Sequence, residues 1–144
     1  MKLNDVQEQI IEEFEFFDDW MDRYNYLIEL SKKLPIIAES GKSTQNLING
    51  CQSRVWLDAE LKEGKIYFTA DSDAIITKGI IALLIRVLNE RTPEEVLNAD
   101  LYFIDQIGLK QNLSPTRSNG LVSMVKQMRM YALAYTTQQG NTQA

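Results

Sequence analysis

The feature that most constrains the fold is a helical segment between residues 74 and 89 that is apolar on almost every face. A helix of this kind has to be buried on all sides, so the rest of the chain must cover it. Gly79 lies inside the segment at a cost of up to about 1 kcal/mol relative to alanine, so we expect a close approach to a neighbouring element there. The apolar positions are Ile75, Ile76, Ile80, Ile81, Leu83, Leu84, Ile85, Val87 and Leu88.

A β-hairpin is predicted just before this helix. Residues 53–61 alternate between apolar and polar side chains, Glu63-Gly64 supplies a turn, and residues 65–70 form the return strand. Asp71 or Ser72 is expected to cap the apolar helix.

Two amphipathic helices are predicted ahead of the hairpin. Asn4, with Gln7 as its reciprocal partner, is expected to cap a helix that runs to about Phe17. A second helix starts at Asp18 or Asp19 and stops at Leu34-Pro35.

Shorter helices are predicted after the apolar segment. Thr92-Pro93-Glu94-Glu95 combines a cap, a proline and a capping-box glutamate, and a further helix from about Asp100 ends before Gly108. The last helix is predicted over residues 119–135. These elements predict an α+β fold in one domain, residues 1–137, with a small antiparallel sheet flanked by helices and a flexible polar tail over 138–144.

Composition excludes several classes of partner. Fifteen lysines and arginines against twenty aspartates and glutamates give a formal charge of −5, whereas nucleic-acid binding requires a basic patch. No apolar run approaches the roughly 20 residues of a membrane span, and no apolar leader is recognisable. We therefore expect a cytoplasmic protein with neither nucleic acid nor membrane as partner, in a compartment that keeps thiols reduced.

Cys51 is the only cysteine of the 144 residues, and the chain has no histidine. It therefore has neither an intramolecular disulfide nor an imidazole base, and it lacks the ligands that most zinc sites use, so no metal is expected. A free cysteine is usually a buried apolar residue, but Gly50, Gln52, Ser53 and Arg54 around it indicate a thiol in a polar loop. Arg54 is expected to favour the reactive thiolate.

The segment Gly50-Cys51-Gln52-Ser53-Arg54-Val55-Trp56 resembles the G-C-Q-S-x-V-W motif of the SufE family, the sulfur-accepting partners of cysteine desulfurases in iron-sulfur cluster assembly. Further family landmarks follow in the same order over nearly the whole chain. They are Leu34-Pro35, Asp71-Ser72-Asp73-Ala74, Lys78-Gly79, Thr92-Pro93 and the run from Leu113 to Leu121 that contains Arg117.

The resemblance implies a SufE/IscU-like fold and a role in sulfur transfer. Cys51 would take persulfide sulfur from a SufS-type cysteine desulfurase, stimulate that enzyme, and relay the sulfur to a SufB-type scaffold. Pyridoxal phosphate would reside on the desulfurase, so this chain would need no cofactor and would be an accessory protein without independent turnover. Gly41 and Gly50 would be hinges of a mobile cysteine loop.

The resemblance also marks residues beyond the cysteine. Arg117 matches a family arginine near the cysteine surface and is assigned to partner docking, with solvation of a helix end as the alternative. Asp73 and Lys78 match family positions too, and Asp73 could equally be a helix N-terminal charge.

Three other interpretations of Cys51 remain open. A cluster scaffold holds iron with several thiolates, which a single cysteine argues against. A peroxide-reactive or redox-sensing thiol activated by Arg54 is a second possibility, although it lacks a resolving cysteine. In the third, Cys51 is purely structural.

Overall fold

The chain folds into an antiparallel β-hairpin covered by helices, which confirms the predicted α+β class. The computed structural model describes residues 1–143, and for residues 138–143 it describes the backbone alone. Two single-turn 3-10 helices, Glu39–Gly41 and Thr44–Asn46, lie between the second helix and the first strand. The main elements are α1 (Leu3–Glu15), α2 (Trp20–Ser31), β1 (Val55–Lys62), β2 (Lys65–Ser72), α3 (Ile75–Leu88), α4 (Pro93–Asn98), α5 (Phe103–Gln106), α6 (Leu109–Asn112) and α7 (Pro115–Gln143).

The hairpin forms where the sequence predicts it. β1 and β2 pair in register from Val55 opposite Ser72 to Lys62 opposite Lys65. Both turn residues have positive φ, 53° at Glu63 and 80° at Gly64, as in the two-residue turns that match strand twist. β2 extends two residues beyond the predicted end.

The central position of α3 confirms the prediction from its apolar sequence. Ten of its fourteen residues are buried. α2 packs along α3, and β2 contacts α3 as well. A Cβ added at Gly79 would lie 2.3 Å from the carbonyl oxygen of Leu27 in α2, which confirms the expected close approach.

Two tyrosines hold α7 against the edge of the sheet. The hydroxyl of Tyr131 donates to the carbonyl of Leu57 at 3.0 Å, and that of Tyr135 donates to the carbonyl of Ala59 at 2.8 Å. These bonds satisfy edge carbonyls of β1. They fix α7 relative to the hairpin, and so also the position of its N-terminal half.

The predicted cap of the first helix is wrong. α1 begins at Leu3, and the backbone N–H of Lys2 donates to the carboxylate of Asp5. Gln7 is fully buried; its side chain donates to the carbonyl of Asp100 and accepts from the N–H of Phe103. The long-range partners of Gln7 decide its role, and local spacing does not reveal them.

Two other helix starts differ from prediction. α3 follows Ala74 without a side-chain cap. The carboxylate of Asp71 binds two lysines, and the hydroxyl of Ser72 accepts from the N–H of Ala74, just before the helix. α7 begins at Pro115 rather than near residue 119, because Ser114 accepts a hydrogen bond from the N–H of Arg117 and proline suits a first helical turn.

Other predicted helix starts are confirmed. Asp19 caps α2 through the N–H of Asp22, and Thr92 forms a capping box with Glu95 at the start of α4. The predicted flexible tail, residues 138–144, includes Ala144, which lies outside the described residues, and its flexibility stays a prediction. Among the helices described, none is both long enough and apolar enough to cross a membrane.

Candidate functional site

Cys51 lies at the tip of a short loop, residues 49–54, which we call the Cys51 loop. The N–H of Ile48 donates to the carbonyl of Val55 at 2.8 Å and closes the loop at its base, and Leu47 pairs with Trp56 just outside. Gly50 has a φ of +90°, a region that other residues rarely adopt. The loop is therefore fixed at both ends, with its one glycine directly before the cysteine.

The thiol of Cys51 rests against α7. It is half-buried, and its sulfur lies 3.8 Å from the carbonyl oxygen of Gly120, to which it donates. A Cβ added at Gly120 would lie 3.4 Å from this sulfur, so a side chain larger than methyl would displace the thiol. Burial raises the pKa of the Cys51 thiol above its ordinary value. The resting group is consequently protonated at neutral pH.

A cavity of about 180 Å³, the Cys51 cavity, adjoins the thiol. It lies between the Cys51 loop, the start of α3 and the start of α7. Its walls mix hydroxyl groups, one guanidinium and apolar side chains. The lining residues are Cys51, Gln52, Ser53, Ala74, Thr77, Ile80, Thr116, Arg117, Gly120 and Met124.

The side chain of Arg54 is engaged by Asp73 and Trp56. Its backbone N–H donates to one carboxylate oxygen of Asp73 at 3.0 Å, and its Nε lies 3.3 Å from the other. Its guanidinium also lies over the ring of Trp56, 5.7 Å from the centroid. The cause of the raised pKa of Cys51 is burial, and the expected stabilisation of the thiolate by Arg54 stays a prediction.

A second ion-pair group lies beside the hairpin. Asp71, 9% exposed, accepts from Lys42 at 2.8 Å and from Lys78 at 3.2 Å. Burial alone would raise the pKa of Asp71, but the hydrogen bonds from Lys42, Ser72 and Lys78 outweigh it and hold that pKa below its ordinary value. Lys42 also lies 5.6 Å from the Trp56 ring centroid. This group ties the connection before β1 to the end of β2 and to α3.

Comparison with known proteins decides the family. The family model described as SufE, Fe-S metabolism associated domain, matches residues 8–132. The chain belongs to the SufE family. An uncharacterized SufE-like protein of Rhizobium etli is 42% identical over 127 residues, covering 85% of this chain and 86% of the relative. An uncharacterized SufE-like protein of Synechocystis is 39% identical over 127 residues, covering 88% and 80% respectively.

A solved structure supports the fold. The solution structure of a hypothetical protein from Thermus thermophilus matches this chain with a TM-score of 0.76. The match covers 92% of this chain and 96% of that one at 22% identity. At this identity the likeness concerns the fold alone, and it supports the fold described above.

The structure brings together part of the site predicted for a SufE protein. Gln52, Ser53 and Arg117 line the cavity of Cys51, and Gly50 shapes its loop. Arg54 and Asp73 pair at the exit of that loop. Lys78 instead pairs with Asp71, so the geometry gives it a structural contact. The functional roles of these residues stay predictions.

Several residues of the cavity did not emerge from the sequence as site residues. Thr77, Gly120 and Met124 come from helices that are far from Cys51 in sequence. One feature of the sequence could have pointed to Thr77, namely a hydroxyl in the first turn of a mostly apolar helix. Nothing in the sequence could have pointed to Met124, because its place on an amphipathic stripe predicts an ordinary core residue.

Proposed function

We propose that this SufE-family protein accepts sulfur on Cys51 from the persulfide of a SufS-type, pyridoxal-phosphate-dependent cysteine desulfurase and relays it to a SufB-type scaffold. The observation that carries the proposal is the single thiol of the SufE motif at a loop tip, resting over a cavity. The proposed setting is the cytoplasm, where a lone thiol stays reduced.

The transfer is a thiol exchange with a persulfide as electrophile. The thiolate of Cys51 attacks the outer sulfur of the desulfurase persulfide, and a bond forms between that sulfur and the Cys51 sulfur. The bond to the desulfurase cysteine breaks, and its thiolate leaves with the electron pair. Because the desulfurase is thereby unloaded, its next turnover can begin, which accounts for stimulation.

The resting geometry requires a change before this attack. The thiolate is the nucleophile, but the resting thiol is protonated and donates to the carbonyl of Gly120. We propose that docking draws the Cys51 loop away from α7 and so restores an ordinary thiol pKa. The hydrogen bond between Ile48 and Val55 holds the base of the loop, so the movement is confined to residues 49–53, with Gly50 as hinge.

Gly41 is a poor second hinge. It lies outside the closed base of the Cys51 loop, and a Cβ added there would lie 2.8 Å from the side chain of Ile37. Its lack of a side chain is therefore explained by packing against Ile37.

Arg117 is the proposed docking residue. Its side chain is exposed at the rim of the Cys51 cavity, where a partner approaching the thiol would meet a cation. Arg117→Ala is expected to weaken affinity for the desulfurase and to leave thiol alkylation unchanged. Lys126→Ala is the matched control, because Lys126 is an exposed cation farther along α7 that does not line the cavity. Equal affinity of the Arg117 variant and the control would refute this role.

Desulfurase turnover in the presence of variants tests the function itself. Cys51→Ser is expected to abolish stimulation while the circular dichroism spectrum stays that of the parent protein, since the thiol makes one weak hydrogen bond. Stimulation by Cys51→Ser at the level of the parent would contradict the sulfur-acceptor function and favour a purely structural Cys51.

The raised thiol pKa also bears on the redox-sensor alternative. Sensor cysteines react as thiolates and have low pKa values, whereas burial raises that of Cys51 and no cation counteracts it. For the scaffold alternative, no group of three or more cysteine or acidic side chains within the described residues could hold a metal ion.

A further inference from the structure

Loading with sulfur changes the hydrogen-bonding character of Cys51. The resting thiol carries a proton and donates it to the carbonyl oxygen of Gly120 at 3.8 Å. In a persulfide the outer sulfur replaces that proton and, when ionised, is only an acceptor. The Gly120 oxygen is also only an acceptor, so the resting contact becomes repulsive after loading. The outer sulfur therefore needs a donor elsewhere.

Three hydroxyl groups line the Cys51 cavity, and two of them, those of Ser53 and Thr77, bond to each other while that of Thr116 lies on an exposed residue. Ser53 follows Cys51 by two residues, and Thr77 lies in the first turn of α3. Both line the cavity, and their hydroxyl oxygens are 3.4 Å apart. A hydrogen bond of that length is weak, so either hydroxyl can turn its proton to a stronger acceptor at small cost. Thr77 is 6% exposed, so water seldom competes for its hydroxyl.

The other walls of the cavity strengthen such a bond. Ile80 and Met124 contribute apolar surface. Next to these apolar side chains a hydrogen bond to an anion is stronger than it is in water. The volume of about 180 Å³ also exceeds the roughly 10–15 Å³ that one water-sized group needs, so there is room for a single added sulfur.

We propose that the hydroxyls of Thr77 and Ser53 bind the outer sulfur of the Cys51 persulfide and retain it in the cavity. This assignment rests on the proposed function in one respect, namely that a desulfurase supplies the sulfur. The binding of the outer sulfur by the two hydroxyls does not depend on which donor supplied it. Thr77 and Ser53 would thus protect the cargo, whereas Gly120 holds the empty thiol.

Loading with inorganic polysulfide tests the assignment without a desulfurase. The Cys51 thiolate attacks a terminal sulfur of the polysulfide and forms a sulfur–sulfur bond with it. The bond from that sulfur to the rest of the polysulfide breaks, and a polysulfide shorter by one sulfur leaves with the electron pair. After excess polysulfide is removed, dithiothreitol is added and the loss of the outer sulfur is followed by intact-protein mass. Thr77→Val removes the hydroxyl and keeps the shape, and Thr77→Ser is the matched control that keeps a hydroxyl.

The loaded Thr77→Val protein is expected to lose its sulfur about tenfold faster than the parent, since one hydrogen bond to an anion is lost. Thr77→Ser is expected to match the parent, and Ser53→Ala to lose sulfur faster to a smaller degree. Alkylation of the unloaded thiol should be equal in all four proteins, because the empty thiol bonds to Gly120 instead.

Equal loss rates in the parent and in Thr77→Val, at equal loading, would overturn the assignment. The assignment would also be overturned if the unloaded thiol of Thr77→Val were alkylated faster by the same factor as the sulfur is lost. The Thr77 hydroxyl would then support the loop and not bind the outer sulfur. If Thr77→Val does not fold, Ser53→Ala decides, and a parent-like rate overturns the proposal. The two proposals can fail separately. If polysulfide-loaded sulfur is retained only when the hydroxyls are present, but a desulfurase cannot load the protein, this assignment is supported and the proposed function is refuted.

Discussion

Gly79→Ala probes the contact that places α3 against α2. The new Cβ would lie 2.3 Å from the carbonyl oxygen of Leu27, whereas real Cβ contacts begin at about 3.0 Å, so the helices must part by roughly 0.7 Å. The obstacle is backbone, which cannot rotate away as a side chain can. Overpacking of this kind costs about 1–3 kcal/mol and occasionally more, against a gain in helix propensity of about 1 kcal/mol. Because the obstacle is backbone, the cost lies in the upper part of that range, and we expect a net loss of about 1–2 kcal/mol in the free energy of unfolding.

Urea unfolding followed by far-ultraviolet circular dichroism measures this loss. The matched control is Gly120→Ala, because its Cβ would meet the Cys51 sulfur at 3.4 Å, an ordinary contact, and should leave stability unchanged or higher by about 0.5–1 kcal/mol. A Gly79→Ala protein as stable as the parent would refute the close-approach argument. The same result would remove the physical reason for glycine at this position.

Two further predictions concern titratable groups. Asp71→Asn should destabilise the protein by about 1–2 kcal/mol near neutral pH. The folded pKa of Asp71 is below its ordinary value of 3.8, so the carboxylate stabilises the fold above that pH. The destabilisation caused by Asp71→Asn should therefore fade as the pH falls through the lowered pKa. If urea titrations gave the same destabilisation at every pH, this prediction would be contradicted. The pH profile of Cys51 alkylation in the native protein should have a higher midpoint than in the urea-unfolded chain, because burial raises the thiol pKa; coincident midpoints would show that the resting thiol is not shielded.

The elements set by local pattern could be predicted from the sequence. The hairpin follows from alternation around Glu63-Gly64, the burial of α3 from its uniformly apolar surface, and the need for Gly79 from the cost of glycine in a helix. Each of these signals lies within a few neighbouring residues, or within one helix.

Contacts between distant segments could not be predicted in the same way. Gln7 looked like a capping residue but is buried against residues 100–103, and Asp71 looked like a helix cap but binds Lys42 and Lys78. In each case partners from other segments add to the local ones, since Gln7 still donates to Asn4 and Asp71 still accepts from the N–H of Ser72.

The candidate site was predictable only in part for the same reason. The motif identifies Cys51 and its neighbours in the loop, and the family resemblance adds Arg117. That Thr77 of α3 and Gly120 of α7 line one cavity with the thiol depends on how three elements pack, and no local pattern encodes it.

Intact-protein mass after incubation with cysteine and a matched, active desulfurase tests the central claim most directly. Under non-reducing conditions the chain should gain one sulfur atom that maps to Cys51 and disappears on treatment with dithiothreitol. A chain that gains no sulfur, while the same desulfurase turns over and the Cys51 thiol is alkylated normally, would contradict the proposal that Cys51 is a sulfur acceptor.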